Sequence, residues 1–72
     1  MPKLSNVSAS KVVKIAVKLG FFVSRQKGSH IILKNNSGKI LVIPNHRKLK
    51  LGTLLQIIKV LNLSKEEFEK LL

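Results

Sequence analysis

The pattern of apolar positions in the first third of the chain predicts an amphipathic helix. Four apolar residues fall at i, i+3, i+4 and i+7, which places them on one helical face: Val12, Ile15, Ala16 and Leu19. Ser8 stands where an N-cap is expected, and Gly20 can take the backbone conformation that ends a helix. Lysines recur at helical spacing on another face, at Lys11, Lys14 and Lys18. The sequence therefore predicts a first helix with a cationic exposed stripe.

Three short segments with the composition of β-strands follow, at 21–26, 30–34 and 39–43. Simple alternation in the first of them puts Phe21, Val23 and Arg25 on the same face. The Asn-Asn-Ser-Gly stretch at 35–38 is typical of a hairpin turn. Pro44 ends the third segment because it has no N–H to donate. We expect a three-stranded antiparallel meander.

The last third of the chain returns to helical spacing, with apolar residues at Leu54, Ile57, Ile58 and Leu61. Ser64 and Glu67 have the spacing of a capping box for a short third helix, and Leu63 with Phe68 stand at the positions of a hydrophobic staple. The predicted fold is α+β, a two-layer α-β-β-β-α(-α) domain with the helices on one face of the sheet. The other sheet face would be open or covered by a partner.

Length and composition limit the number of domains and the class of protein. A chain of 72 residues fits one domain, 1–72, and a 44% apolar share is ordinary for a globular fold. There is no Cys, no apolar run of the roughly 20 residues that span a bilayer, and no apolar N-terminal stretch typical of a signal peptide. These features predict a cytoplasmic protein.

The charge is strongly positive and unevenly spread. The formal net charge is +11, and residues 1–65 hold 13 of the 14 Lys and Arg but no acid. Such a surface favours a polyanionic partner, which could be nucleic acid, an anionic membrane surface or an acidic protein. A basic surface that merely keeps the protein soluble is the alternative. Charge by itself does not choose among them.

The small number and the position of the acidic residues exclude several kinds of catalytic mechanism. Glu66, Glu67 and Glu69 are the only acids and cluster in the predicted third helix, where the helix dipole explains the first two. A two-metal nuclease needs several carboxylates, and a serine hydrolase triad needs an acid to orient its imidazole. We predict no cofactor and no metal. RNA, however, supplies its own nucleophile in the 2′-hydroxyl, so a base and cations suffice to cleave it.

The candidate base is His30, which ends a Gly28-Ser29-His30 sequence at the entry to the second strand. Imidazole exchanges protons near neutral pH, and strand pairing would hold it in place. Gly28 allows a turn or close approach of a ligand, and Ser29 could donate to a phosphate oxygen. The alternative is a Gly-Ser turn followed by an ordinary strand histidine.

Further candidates surround this sequence. His46 could be a general acid, a phosphate contact or a loop residue tied to the backbone. Gly52 and Thr53 near the start of the second helix resemble an anion-binding site. The alternative is that Gly52 relieves crowding and Thr53 caps the helix. Nearby cations could bind phosphates or be solvated charges: Arg25, Lys27, Arg47, Lys48 and Lys50. There is no aromatic stacking platform for single-stranded RNA and no evident recognition helix for DNA.

Taken together, these motifs resemble the HicA (YcfA-like) family of toxins from type II toxin–antitoxin modules. The resemblance is carried by Leu-Gly-Phe at 19–21, Arg-Gln-Lys-Gly-Ser-His at 25–30, Val-Ile-Pro at 42–44 with His46, and Gly-Thr-Leu at 52–54 with Ile57. It spans nearly the whole chain. It implies a fold like the double-stranded RNA-binding domain, an mRNA endonuclease (mRNA interferase) activity that blocks translation, a catalytic histidine at His30, and a HicB-type antitoxin partner.

The expected site therefore has His30 as general base, with RNA bound by Gly28, Ser29, Arg25, Lys27, His46, Arg47, Lys48, Lys50 and Thr53. Two other functions fit the residues. One is a non-catalytic RNA-binding module, which would bind RNA without turnover. The other is a basic module that docks an acidic protein, which would show no salt-sensitive RNA affinity.

Overall fold

The computed structural model describes residue 4 and residues 6–72, which form three helices and three strands. In chain order these are α1 (Ala9–Lys18), β1 (Phe22–Lys27), β2 (His30–Lys34), β3 (Ile40–Pro44), α2 (Leu51–Val60) and α3 (Lys65–Leu71). The element order and the antiparallel sheet agree with the sequence prediction. The second strand matches its predicted bounds, while the other two begin and end one residue later than expected.

Helix α1 begins and ends as its sequence predicts. The Ser8 hydroxyl accepts a hydrogen bond from the Lys11 N–H at 3.3 Å, as an N-cap does. Gly20 follows the helix with φ +98°, and the Phe21 N–H donates to the Ala16 carbonyl at 3.0 Å, which completes a Schellman motif. Leu19, which the spacing placed on the apolar helical face, does not share the burial of the other three residues. Leu19 is 40% exposed because the helix ends there, and Phe21 is buried instead.

The sheet has the order β1-β2-β3, with both pairs antiparallel. Its inner face carries the Leu33–Leu41 and Ile31–Ile43 pairs, of which Leu33, Leu41 and Ile43 are fully buried. Alternation turns the remaining residues of β2 and β3 to the outer face. His30 therefore lies beside its cross-strand partner Pro44 on that outer face. The predicted turn at 35–38 is present, closed by two hydrogen bonds to the Asn35 side-chain oxygen.

A bulge in β1 overturns the simple alternation predicted for that strand. Val23 pairs with Leu33 and Arg25 pairs with Ile32, so Ser24 is an extra residue in the ladder. Val23 and Arg25 consequently lie on opposite faces of the sheet. The bulge turns Arg25 to the same outer face as His30, which simple alternation from Val23 would not have done.

Helix α2 runs antiparallel to β3. Its first residues lie beside Pro44, because Lys50 and Pro44 line one cavity. Its last turn lies beside the start of β3, where the Lys39 ammonium donates to the Val60 carbonyl at 3.1 Å. The N-cap is Lys50, whose side chain makes no capping hydrogen bond. Thr53 therefore does not cap the helix.

All three helices contribute to the core on the inner face of the sheet. Helix α3 has the predicted capping box, with the Glu67 N–H donating to the Ser64 hydroxyl at 3.0 Å and the Ser64 N–H donating to the Glu67 carboxylate at 2.8 Å. Its Phe68 is fully buried. The outer sheet face exposes apolar side chains at Phe22, Ile40 and Val42. In the described part of the chain, no helix has the length and hydrophobicity needed to cross a bilayer.

Candidate active site and nucleic-acid interface

A two-residue hairpin turn positions His30 at the start of β2. Lys27 and His30 are paired across the hairpin, leaving Gly28 and Ser29 as the turn. Gly28 has φ +58°, the positive value that a type II′ turn requires at its first central residue. The Ser29 carbonyl accepts a hydrogen bond from the Asn45 N–H at 2.6 Å. The turn is thereby joined to the segment that follows β3, which fixes the entry of His30 into the sheet.

His30 lines a groove at the β3 edge of the sheet, where outer-face side chains meet residues of α2. The groove has a volume of about 660 Å³. Its strand side is formed by His30, Val42 and Pro44, and its helix side by Lys50, Gly52, Thr53, Gln56 and Ile57. The groove therefore combines a potential base, a cation and a hydroxyl in one concave surface, which is the composition expected of a site for phosphate chemistry.

The electrostatic character of the groove is positive. No carboxylate lines it, and Lys50 at the start of α2 contributes a charge. The acids of the chain lie on α3, where Glu67 is held in the capping box. No side-chain hydrogen bond within the described residues involves His30. Its imidazole is exposed and open to a ligand on the outer face.

Two of the predicted cations share the outer face with His30. Arg25 is opposite Ile32 and Lys27 is opposite His30, and cross-strand partners project to the same face of a sheet. Both side chains are exposed. A polyanion that entered the groove could therefore extend across β1 and contact both charges.

The other predicted residues divide between the groove and a second cavity. Lys50 and Thr53 line the groove, whereas His46 and Arg47 line a separate cavity of about 320 Å³ with Ser8, Ser10 and Asn45. The backbone of His46 is tied to its surroundings, since its carbonyl accepts from the Ala9 N–H at 2.9 Å. Lys48 is exposed in the loop between β3 and α2. The structure thus brings His30, Lys50 and Thr53 together and places His46 elsewhere.

Gly52 has no structural reason for lacking a side chain. A Cβ added there would meet no heavy atom within 4 Å, and the residue does not have a positive φ. Both structural explanations considered for the Gly52-Thr53 pair are therefore wrong, because Gly52 relieves no crowding and Thr53 caps nothing. What the two residues share is their position on the wall of the groove.

The apolar and amide part of the groove was not predicted from the sequence. Val42, Pro44, Gln56 and Ile57 line it together with His30. The sequence pattern that could have indicated the helix side of the groove is the spacing of Lys50, Thr53 and Gln56. At i, i+3 and i+6 these residues follow one side of a helix. That signal could not identify the strand face opposite, because the contact between α2 and β3 is tertiary.

Comparison with known proteins identifies a family for this chain. A family model described as the HicA toxin of bacterial toxin–antitoxin modules matches residues 9–63. A search of curated proteins finds no match. The matched residues run from the start of α1 through α2 and include the hairpin of His30 and the whole wall of the groove. The chain belongs to the HicA toxin family of bacterial toxin–antitoxin modules.

Proposed function

We propose that the toxin is an mRNA endonuclease that cleaves RNA without a metal ion and so blocks translation in the cytoplasm. The observation that carries this proposal is the position of His30 in a cationic groove with Lys50 and Thr53. The scarcity of carboxylates also supports it, because the chain has no Asp and its three Glu lie on α3. A clamp for catalytic metal ions needs several carboxylates at the site.

In this mechanism His30 removes the proton from the 2′-hydroxyl of a bound ribose. The 2′-oxygen attacks the adjacent phosphorus, the bond from phosphorus to the 5′-oxygen breaks, and the 5′-oxygen takes up a proton. The imidazolium returns its proton to the leaving oxygen directly or through water. The products carry a 2′,3′-cyclic phosphate and a 5′-hydroxyl. DNA lacks the attacking hydroxyl and is not a substrate.

Lys50 and Thr53 are assigned to the phosphate that reacts. The ammonium offsets the negative charge that develops on the phosphoryl oxygens, and the hydroxyl donates a hydrogen bond. Arg25, Lys27, Gly28 and Ser29 hold the neighbouring backbone on the outer face. His46, Arg47 and Lys48 lie outside the groove, and we assign them to contacts with more distant phosphates.

A toxin of a toxin–antitoxin module has an antitoxin as its partner, and we propose that this partner is of the HicB type. The outer sheet face supports a protein interface there, because exposed Phe22 and Val42 lie among cations. An acidic antitoxin seated on this face would cover His30 and inhibit by occlusion. Undiminished RNA cleavage in the saturated complex would contradict this arrangement.

The test of the proposed function uses purified protein, a long RNA and a DNA of matched sequence in excess EDTA. The wild type should cut the RNA and leave the DNA whole, and His30→Ala should cut neither. His46→Ala is the matched histidine variant, and it should retain turnover at saturating RNA because its side chain lines another cavity.

Two other results would assign a different function. Salt-sensitive RNA binding by the wild type and by His30→Ala, with no cleavage by either, would identify a non-catalytic RNA-binding module. Absence of RNA binding would leave docking of an acidic protein as the function.

A further inference from the structure

The groove continues along α2 beyond the residues assigned to the reacting phosphate. Because α2 runs antiparallel to β3, Lys50 lies near Pro44 and Gln56 lies further toward Val42. The rise of an α-helix places Gln56 about 9 Å along the axis from Lys50. That separation is comparable to the span from a backbone phosphate to the far edge of its own base.

This part of the groove is apolar on its walls and has one neutral polar group. Val42 is 47% exposed on the strand side, Pro44 on the same strand is half-buried, and Ile57 is a buried residue of the lining. Gln56 is exposed on the helix side. A nucleobase has matching chemistry, since its ring faces are suited to apolar contact and its edge carries hydrogen-bonding groups.

The side chain of Gln56 is available for such an edge. Its amide offers both a donor and an acceptor, and within the described residues no side-chain hydrogen bond involves it. The other polar side chains of the groove, on His30, Lys50 and Thr53, are suited to proton transfer and phosphate contact. Gln56 alone among the lining residues presents an amide.

We propose that Val42, Pro44, Ile57 and Gln56 form a nucleobase subsite beside His30, in which Gln56 selects the base. The proposal rests on the proposed RNA-cleaving function of the same groove. The volume of about 660 Å³ is within the range of about 300–1,000 Å³ typical of small-ligand pockets. The base next to the cleaved phosphate packs on Val42 and Pro44, and its edge hydrogen-bonds to the Gln56 amide.

The experiment measures cleavage of oligoribonucleotides that contain one cleavable ribose and differ only in the base on either side of the cut. The wild type should prefer some bases at one of these positions. In Gln56→Ala, the ratio of the cleavage rates for the preferred and the disfavoured base should fall about ten-fold, the order expected for one bidentate hydrogen-bonded pair. Gln56→Glu, whose carboxylate can only accept, should shift the preference toward the amino-bearing bases guanine, adenine and cytosine and away from uracil.

Gln26→Ala is the matched control for this experiment. Gln26 is an exposed glutamine whose strand partner is Ile31, on the face opposite to His30. This variant should keep the wild-type base preference. If Gln56→Ala also keeps it, the subsite does not select the base and the proposal is wrong.

A separate outcome concerns the function on which the proposal rests. If the wild type cuts none of the oligonucleotides, the proposed ribonuclease activity is wrong. The existence of the subsite is then tested by binding. The affinity of the same oligonucleotides is measured for His30→Ala and for the double variant His30→Ala, Gln56→Ala. Affinities that depend on the base only when Gln56 is present support the subsite, and equal affinities overturn it.

Discussion

At the scale of single residues, the glycines show which positions serve the fold and which serve the groove. Gly28 has φ +58° in the turn before His30, a conformation that favours glycine. Gly52 has ordinary backbone geometry and open space where a side chain would be. Glycine weakens a helix relative to alanine, so its presence in α2 costs stability without a compensating contact in the fold. We infer that the absence of a side chain at Gly52 leaves room in the groove for a substrate.

Gly52→Ala should therefore separate stability from activity. The variant should be as stable as the wild type or more stable, by about 1 kcal/mol at most, because alanine is the better helix former. RNA cleavage should fall about ten-fold or more, since a displacement of about 1 Å in the reacting groups can cost a hundred-fold in rate. Thermal unfolding and initial cleavage rates measure the two effects.

Gly28→Ala is the contrasting variant. Alanine at a left-handed position costs about 1–2 kcal/mol, so this change should lower the free energy of unfolding.

A destabilised Gly52→Ala protein, or one with undiminished cleavage, would show that Gly52 is not kept for the groove.

Residues whose role is set by near neighbours in the chain could be predicted from the sequence. The caps at Ser8 and Ser64 and the turn after β2 were predicted because each depends on a few consecutive residues. Features that depend on residues distant in the chain could not be predicted. The bulge at Ser24 depends on the register between β1 and β2, and the position of Gln56 opposite Val42 depends on how α2 packs.

At the scale of elements, α3 completes the core although it lies outside the residues that match the family. The family match ends at residue 63, whereas Phe68 on α3 is fully buried and belongs to the main core cluster. Removing a buried phenylalanine side chain leaves a cavity and loses apolar contacts. Helix α3 therefore stabilises the sheet and α2, and so indirectly the groove.

Phe68→Ala should lower the free energy of unfolding by about 3–5 kcal/mol. Phe22→Ala is the matched control, because Phe22 is half-exposed on the outer sheet face and should change stability much less. Urea denaturation of the two variants provides the comparison. Equal losses of stability would contradict the assignment of Phe68 to the core.

Strand β1 provides the second element-scale prediction, because its bulge turns Arg25 and Lys27 toward the face of His30. Replacing both with Gln should weaken RNA binding and reduce the slope of log affinity against log salt by about 1.4, the value for two contacts to single-stranded phosphates. The measurement is RNA affinity of His30→Ala proteins over a range of salt concentrations.

The matched control replaces Lys65 and Lys70 of α3 with Gln, which removes the same charge from another part of the chain. Its salt slope should stay close to that of the parent protein. Equal reductions in both double variants would mean that RNA responds to net charge and not to the outer face.

At the scale of the whole molecule, the two sheet faces differ in composition. The inner face packs on the helices and holds the core, while the outer face carries His30, exposed apolar side chains and cations. Substrate and antitoxin would compete for this outer face. A single exposed surface on a small domain can thus support both the proposed toxicity and its control.

The central claim is that His30 activates the 2′-hydroxyl of the ribose next to the cleaved phosphate. The most direct measurement replaces only that hydroxyl with hydrogen at a mapped cleavage site and follows cutting in excess EDTA. Cleavage at this bond should then be lost, while the unmodified RNA yields 2′,3′-cyclic phosphate and 5′-hydroxyl ends. Continued cutting at the modified position would contradict it.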